Sequence, residues 1–140
     1  KLMIRKVLIA YDGSESAERA FHFALLLAKQ FNAELTVLAV ARPPEPPTME
    51  ETQAFLGSAT EHYEKQFNTF RKAADEAGVT LKTLIVAGHP AEQIIHHATD
   101  ERADLIVMGH RGKSLVQRWL LGSVSKRVLS YAPCSVTIVR

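Results

Sequence analysis

Short β-branched runs alternate along the chain with longer stretches whose apolar residues recur every three or four positions. The runs are Lys6–Ala10, Glu34–Val40, Thr80–Ala87, Leu105–Met108 and Ser135–Val139, and their lengths suit strands. Lys6–Ala10 and Leu105–Met108 are almost continuously apolar, as expected of central parallel strands covered on both faces. After the first run, Ala17, Ala20, Phe21, Ala24, Leu27, Ala28 and Phe31 fall on one stripe of a helix. Ser14 is placed to cap it, and Glu15 and Glu18 lie in its first turn, where the helix dipole favours negative charge. Leu56, Ala59, Tyr63, Phe67, Phe70, Ala74 and Ala77 form a second, longer stripe closed by Gly78. Pro90 suits the first position of a third helix that turns Ala91, Ile94, Ile95 and Ala98 inward. A fourth starts near Ser123, buries Val124, Val128 and Leu129, and stops before Pro133.

Strict alternation of strand and helix predicts right-handed βαβ crossovers into a parallel sheet. The fold class is therefore α/β, a doubly wound sheet of five parallel strands with helices on both faces, in one domain over residues 1–140. Arg42–Thr48, with four prolines, reads as an exposed loop after the second strand. Composition adds little to this picture. A hydrophobic content of 46% fits one compact core. No apolar run approaches the ~20 residues that cross a bilayer, and the N-terminus resembles neither a signal nor a transit peptide. The one cysteine, Cys134, permits no internal disulfide and fits a reducing, cytoplasmic setting. A net charge of +2, with both signs interspersed, does not argue for nucleic acid or a membrane surface.

In open parallel sheets, ligands bind beyond the carboxyl ends of the strands, near the point where strand order reverses. The segment after the fourth strand is the informative one there. Gly109-His110-Arg111-Gly112-Lys113 follows the strand, and Gly122-Ser123 stands at a helix start, giving the spacing Gly-x2-Gly-x9-Gly-Ser. Glycines at a strand end let backbone amides approach an anion closely. A helix start adds unpaired N–H groups, here with a serine hydroxyl. Arg111 and Lys113 supply charge to neutralise phosphate. Either half alone reads as an ordinary turn; the complete spacing in a strand–loop–helix context favours a phosphate site. Two rival motifs fail. A Walker A loop ending at Gly112-Lys113-Ser114 would need a glycine where Val107 stands, and Tyr11-Asp12-Gly13-Ser14 offers one glycine where a Gly-x-Gly-x-x-Gly turn needs three.

Over essentially its whole length the chain resembles the universal stress protein family. The resemblance is carried by VLIAYDGS, the strand ending at Val40, Gly88-His89-Pro90, GHRGKSLVQRWLLGS and APCSVTIVR. It implies the strand order 3-2-1-4-5 and a Rossmann-like sheet. The glycine spacing matches the branch of the family that binds ATP, so the implied ligand is ATP, with Mg2+ as a possible companion. Ala10 and Asp12 would then lie beside the nucleoside, Asp12 accepting from the ribose, and Val40 would lie against adenine. Gly109, His110, Arg111, Gly112, Lys113, Ser114 and Leu115 would wrap ribose and phosphates. Gly122 would open the helix whose Ser123, Val124 and Ser125 donate to phosphate oxygens. Ala10 stands where the family can carry proline.

Other residues carry less. Asp12 alone is an ordinary turn carboxylate, His110 an ordinary solvated loop histidine, and Cys134 a packing thiol. His96 and His97 are adjacent on a helix and do not share a face. The terminal strand Ser135–Val139 is apolar with only Arg140 guarding it, and such an edge invites pairing with another chain. The family resemblance implies a homodimer there. Three functions stay open: nucleotide-dependent regulation through partner proteins, a slow ATPase or phosphoryl- or nucleotidyl-transfer enzyme, and an interaction module that holds no nucleotide. No general base or Walker-B-like carboxylate is evident, which points away from rapid turnover.

Overall fold

The computed structural model of the chain describes residues 3–43, 48–110 and 121–140. Strand and helix alternate as β1 (Lys6–Ala10), α1 (Glu15–Phe31), β2 (Glu34–Ala41), α2 (Met49–Ala77), β3 (Leu81–Ala87), α3 (Pro90–Asp100), β4 (Leu105–Gly109), α4 (Ser123–Tyr131) and β5 (Ser135–Val139). All strand pairs are parallel, and the sheet order is β3-β2-β1-β4-β5. In register, Val7 lies between Leu35 and Leu105, and Ile9 between Val37 and Val107. The order and the five strands agree with expectation. β2 runs on to Ala41 and β4 to Gly109, because ladder pairing with β3 and β5 continues to those residues.

Side chains alternate across a strand, and here both faces are covered. Val7, Ile9 and Tyr11 point into a core shared with α1 and α2, where Phe21, Phe67 and Phe70 are fully buried. Phe21 stacks on Phe70 with centroids 3.7 Å apart. Leu8, Leu38 and Ile106 point to the opposite core, packed by Ala91, Ile94 and Ala98 of α3 and Val128 of α4. So α1 and α2 share one face, and α3 and α4 the other.

Helix ends follow local chemistry. Ser14 accepts from the Ala17 amide and starts α1, and Asn32 ends it in the left-handed region. α2 begins at Met49, well before the expected apolar stripe, because Thr48 and Glu51 form a capping box. Its first turns need no core: no residue before Ala59 is buried. Two stripe residues are corrected. Leu129 is 46% exposed, since Val128 takes the inward position on short α4, and Phe31 is 52% exposed in the last turn of α1.

Candidate functional site

β1 is flanked by β2 on one side and β4 on the other, so strand order reverses between β1 and β4. From β1 the chain departs to α1 on one face, and from β4 to α4 on the other. In open parallel sheets this is the point beyond the carboxyl edge where a ligand crevice forms. On the β1 side, the Tyr11 amide donates to the Leu38 carbonyl at 2.8 Å, fixing the strand end. Asp12 Oδ1 then accepts from the Ser14 amide at 2.9 Å, so the carboxylate is held over the first turn of α1.

The β4 side is pressed against the same turn. A methyl group on Gly109 would lie 2.9 Å from the Ala17 nitrogen. Gly109 is thus required by close backbone approach, and it brings the end of β4 against the start of α1. His110 continues the ladder through its amide, which donates to the Val139 carbonyl at 2.7 Å. Its carbonyl accepts from the Gly122 amide at 3.1 Å. That bond closes the ends of the intervening segment, so the start of α4 stands beside the end of β4. The Ser125 hydroxyl, buried, donates to the Gly109 carbonyl at 3.0 Å and fastens the same junction.

The N-cap of α4 is Gly122, which offers no side-chain cap. The amides of Ser123, Val124 and Ser125 are therefore first-turn donors without an intrahelical acceptor, at the positive end of the helix dipole. Ser123 is exposed and Val124 half-buried. Chemically, the first-turn N–H groups of α4 suit an anion, and the Asp12 carboxylate stands at the same edge of the sheet.

The expected residues fall as follows. Asp12, Gly109, His110, Gly122, Ser123, Val124 and Ser125 gather at this edge, with Ala10 at the end of β1 and Val40 at the end of β2, both half-buried. Arg111, Gly112, Lys113, Ser114 and Leu115 lie outside the described residues. Two expectations change. His110 is buried at 8% exposure rather than solvated, because the strand ladder extends through its amide. The Ser125 hydroxyl is committed to Gly109, which leaves only its amide to offer an anion.

Periodicity hides two further features. Ser14 and Ser16 are both buried here, their hydroxyl oxygens 3.5 Å apart. Tyr63 of α2, which reads as core from its spacing, stands close enough to Asp12 for the carboxylate, after burial, to push its phenol upward. Tyr11 is raised further, first by burial and then by Glu18, which accepts its hydroxyl at 3.2 Å. Glu18 also accepts from Gln66 at 3.4 Å, tying α1 to α2. Burial, then Asp104, pushes the Cys134 thiol up, which disfavours the thiolate and agrees with a packing role.

A doubly wound parallel sheet with the order β3-β2-β1-β4-β5 and an uncapped helix start at its reversal point defines a Rossmann-like α/β protein. The universal stress protein family matches residues 3–140. The chain belongs to the universal stress protein family. It is 34% identical to universal stress protein YxiE of Bacillus subtilis (strain 168), covering 99% of this chain and 100% of that protein. Universal stress protein UspA from Lactobacillus plantarum superposes with a TM-score of 0.89 at 27% identity, over 100% of both chains. A universal stress protein solved in complex with cAMP gives a TM-score of 0.69 at 26% identity, over 97% of each chain.

Proposed function

We propose that this chain binds an adenine nucleotide, ATP in particular, in the crevice between β1 and β4, and that the bound state modulates partner proteins. The observation that carries this reading is the uncapped start of α4 held beside the end of β4 by the Gly122–His110 bond. Its first-turn amides, without a side-chain cap among the described residues, suit phosphate. The spacing Gly109-x2-Gly112-x9-Gly122-Ser123 is the pattern that carries the resemblance to the ATP-binding branch. Asp12, Ala10 and Val40 lie toward the β1–β2 side, where the nucleoside would rest. The related universal stress protein in complex with cAMP supports an adenine-containing ligand. Mg2+ would accompany the phosphates. Among the described residues no helix is long and apolar enough to cross a membrane; a cytoplasmic site of action fits this reading.

The test is a thermal melt of nucleotide-free protein with and without millimolar MgATP. With ligand at about 100 times its Kd, linkage adds about 2.7 kcal/mol of stability. A melt that does not move would exclude ATP as the ligand. Phosphate release above buffer in the same preparation would make the chain a slow ATPase. We further propose a homodimer through β5, which is a sheet edge whose residues from Val136 to Val139 are half-buried. An antiparallel pair of identical edges satisfies two-fold symmetry. Light scattering should show a dimer for the parent and weaker association for Ile138→Pro, since the Ile138 amide points away from β4 and would serve as a ladder donor to the partner strand. A parent monomeric at high micromolar concentration would exclude that interface.

A further inference from the structure

The start of α2 rises above the sheet. Its 29 residues span about 43 Å at the helical rise, whereas β3, with 7 residues, spans about 23 Å. The chain enters α2 from the carboxyl end of β2 and leaves it toward the amino end of β3. The excess therefore extends past the carboxyl edge, the side of the crevice, and no residue before Ala59 is buried. Tyr63, one turn after Ala59, sits where the helix meets the top of the sheet. Its ring meets Tyr11 edge-on with centroids 5.8 Å apart, and stacks on Phe67 at 6.0 Å. Tyr11 directly precedes Asp12.

The polar groups at this point are incompletely used. Asp12 Oδ1 accepts from Ser14, while Oδ2 accepts no hydrogen bond among the described residues. The half-buried Tyr63 hydroxyl likewise makes none among the described residues. A carboxylate only accepts, whereas a phenol also donates. A vicinal diol matches that pair: one hydroxyl donates to the carboxylate, and its neighbour accepts from the phenol. A phenol is protonated and able to donate near neutral pH, and burial with the nearby Asp12 carboxylate pushes the Tyr63 phenol further in that direction.

We propose that Tyr63 reads the ribose diol of the bound nucleotide together with Asp12, as a specificity-determining residue contributed by α2. This rests on the nucleotide reading above. It assigns α2 a part in selecting a nucleoside over a bare polyphosphate, since the open start of α4 by itself would accept either.

Calorimetric titration of the parent and Tyr63→Phe with ATP, 2′,3′-dideoxy-ATP and inorganic tripolyphosphate tests it. Phenylalanine keeps the ring contacts with Tyr11 and Phe67, and a melt of each protein verifies that the fold is retained. The parent should prefer ATP to the dideoxy analogue about tenfold or more, as expected when two hydrogen-bonded hydroxyls are lost. Tyr63→Phe should lose about fivefold for ATP, with the dideoxy analogue and tripolyphosphate unchanged. ATP affinity untouched by the substitution, or ATP and its dideoxy analogue weakened equally, would overturn the assignment. A parent that binds both nucleotides equally would overturn it and leave the nucleotide reading standing. A parent that binds neither would remove both.

Discussion

Of the four described helices that start at the carboxyl edge of the sheet, α1 and α4 have starts that are built differently. α1 is closed: the Ser14 hydroxyl accepts from the Ala17 amide, Glu18 bonds back to the Ser14 carbonyl at 3.0 Å, and Gly109 is pressed against the turn. α4 is open: Gly122 brings no side chain to its first amides, and Ser125 turns its hydroxyl back to the Gly109 carbonyl. Both carry the same dipole and the same unsatisfied donors. α1 uses its donors within the fold, whereas α4 keeps its first-turn amides without a side-chain cap. Under the nucleotide proposal, the open start of α4 is the one that stands beside the end of β4, which distinguishes it from α3, whose N-cap His89 also makes no side-chain cap bond.

The contrast can be broken most severely at Gly109. Gly109→Ala would drive a methyl group against the backbone of Ser16 and Ala17, and backbone yields less readily than a flexible side chain. We expect a loss of about 3 kcal/mol in urea denaturation, the upper part of the range for overpacking. A midpoint unchanged from the parent would mean that α1 and β4 are not in close contact.

Ser125→Ala addresses the clasp on the open side. It would leave a buried carbonyl at Gly109 without its hydroxyl donor. A loss of about 2 kcal/mol is expected for the unsatisfied group, read by the same denaturation. Parent-like stability would show that the clasp does not fix α4 to β4.

Closing the open start sharpens the comparison further. Gly122→Asp would supply the missing cap and place a carboxylate where phosphate is proposed to sit. Helix capping should leave stability equal or a few tenths of a kcal/mol higher. ATP affinity should nevertheless fall about tenfold or more, equivalent to about 1.4 kcal/mol, from occupied amides and like charge. Undiminished ATP binding in this variant would place the phosphates elsewhere.

Ser14→Ala has the smallest expected effect. It opens the closed start by removing one cap acceptor, at a cost of about 1 kcal/mol in thermal unfolding. A loss well under this value would mean that solvent satisfies the α1 amides as well as the serine does.

Much of the fold was legible because its signals are local. Lys6–Ala10 and Leu105–Met108 read as covered strands since both of their faces are buried, and continuous apolar runs follow directly. Ser14, Gly78 and Pro90 marked helix ends through chemistry confined to a single turn. The start of α2 leaves no apolar signal, because its first turns rise clear of the sheet; only the Thr48–Glu51 pair records them. Leu129 reads as core because a nine-residue helix offers two similar apolar edges, and packing against α3 selects the one carrying Val128. In the site, glycine spacing announced the β4 end. The burial of His110 did not appear in it, since that depends on the Val139 carbonyl of a strand nearly thirty positions later.

Periodicity and capping act over a few residues, so the parallel sheet, its helices and the glycine-marked loop are already specified in the local pattern of the chain. The tertiary structure decided which donors remain open. Whether a first-turn amide is satisfied depends on what the fold brings to it: Ser14 closes α1 from within its own turn, whereas the hydroxyl of Ser125 is drawn away by Gly109. Only the packed fold, too, sets the Tyr63 ring of α2 against Tyr11, the neighbour of Asp12, across residues far apart in the chain. Local pattern specifies the elements, and the competition among their polar groups is settled only when the elements meet.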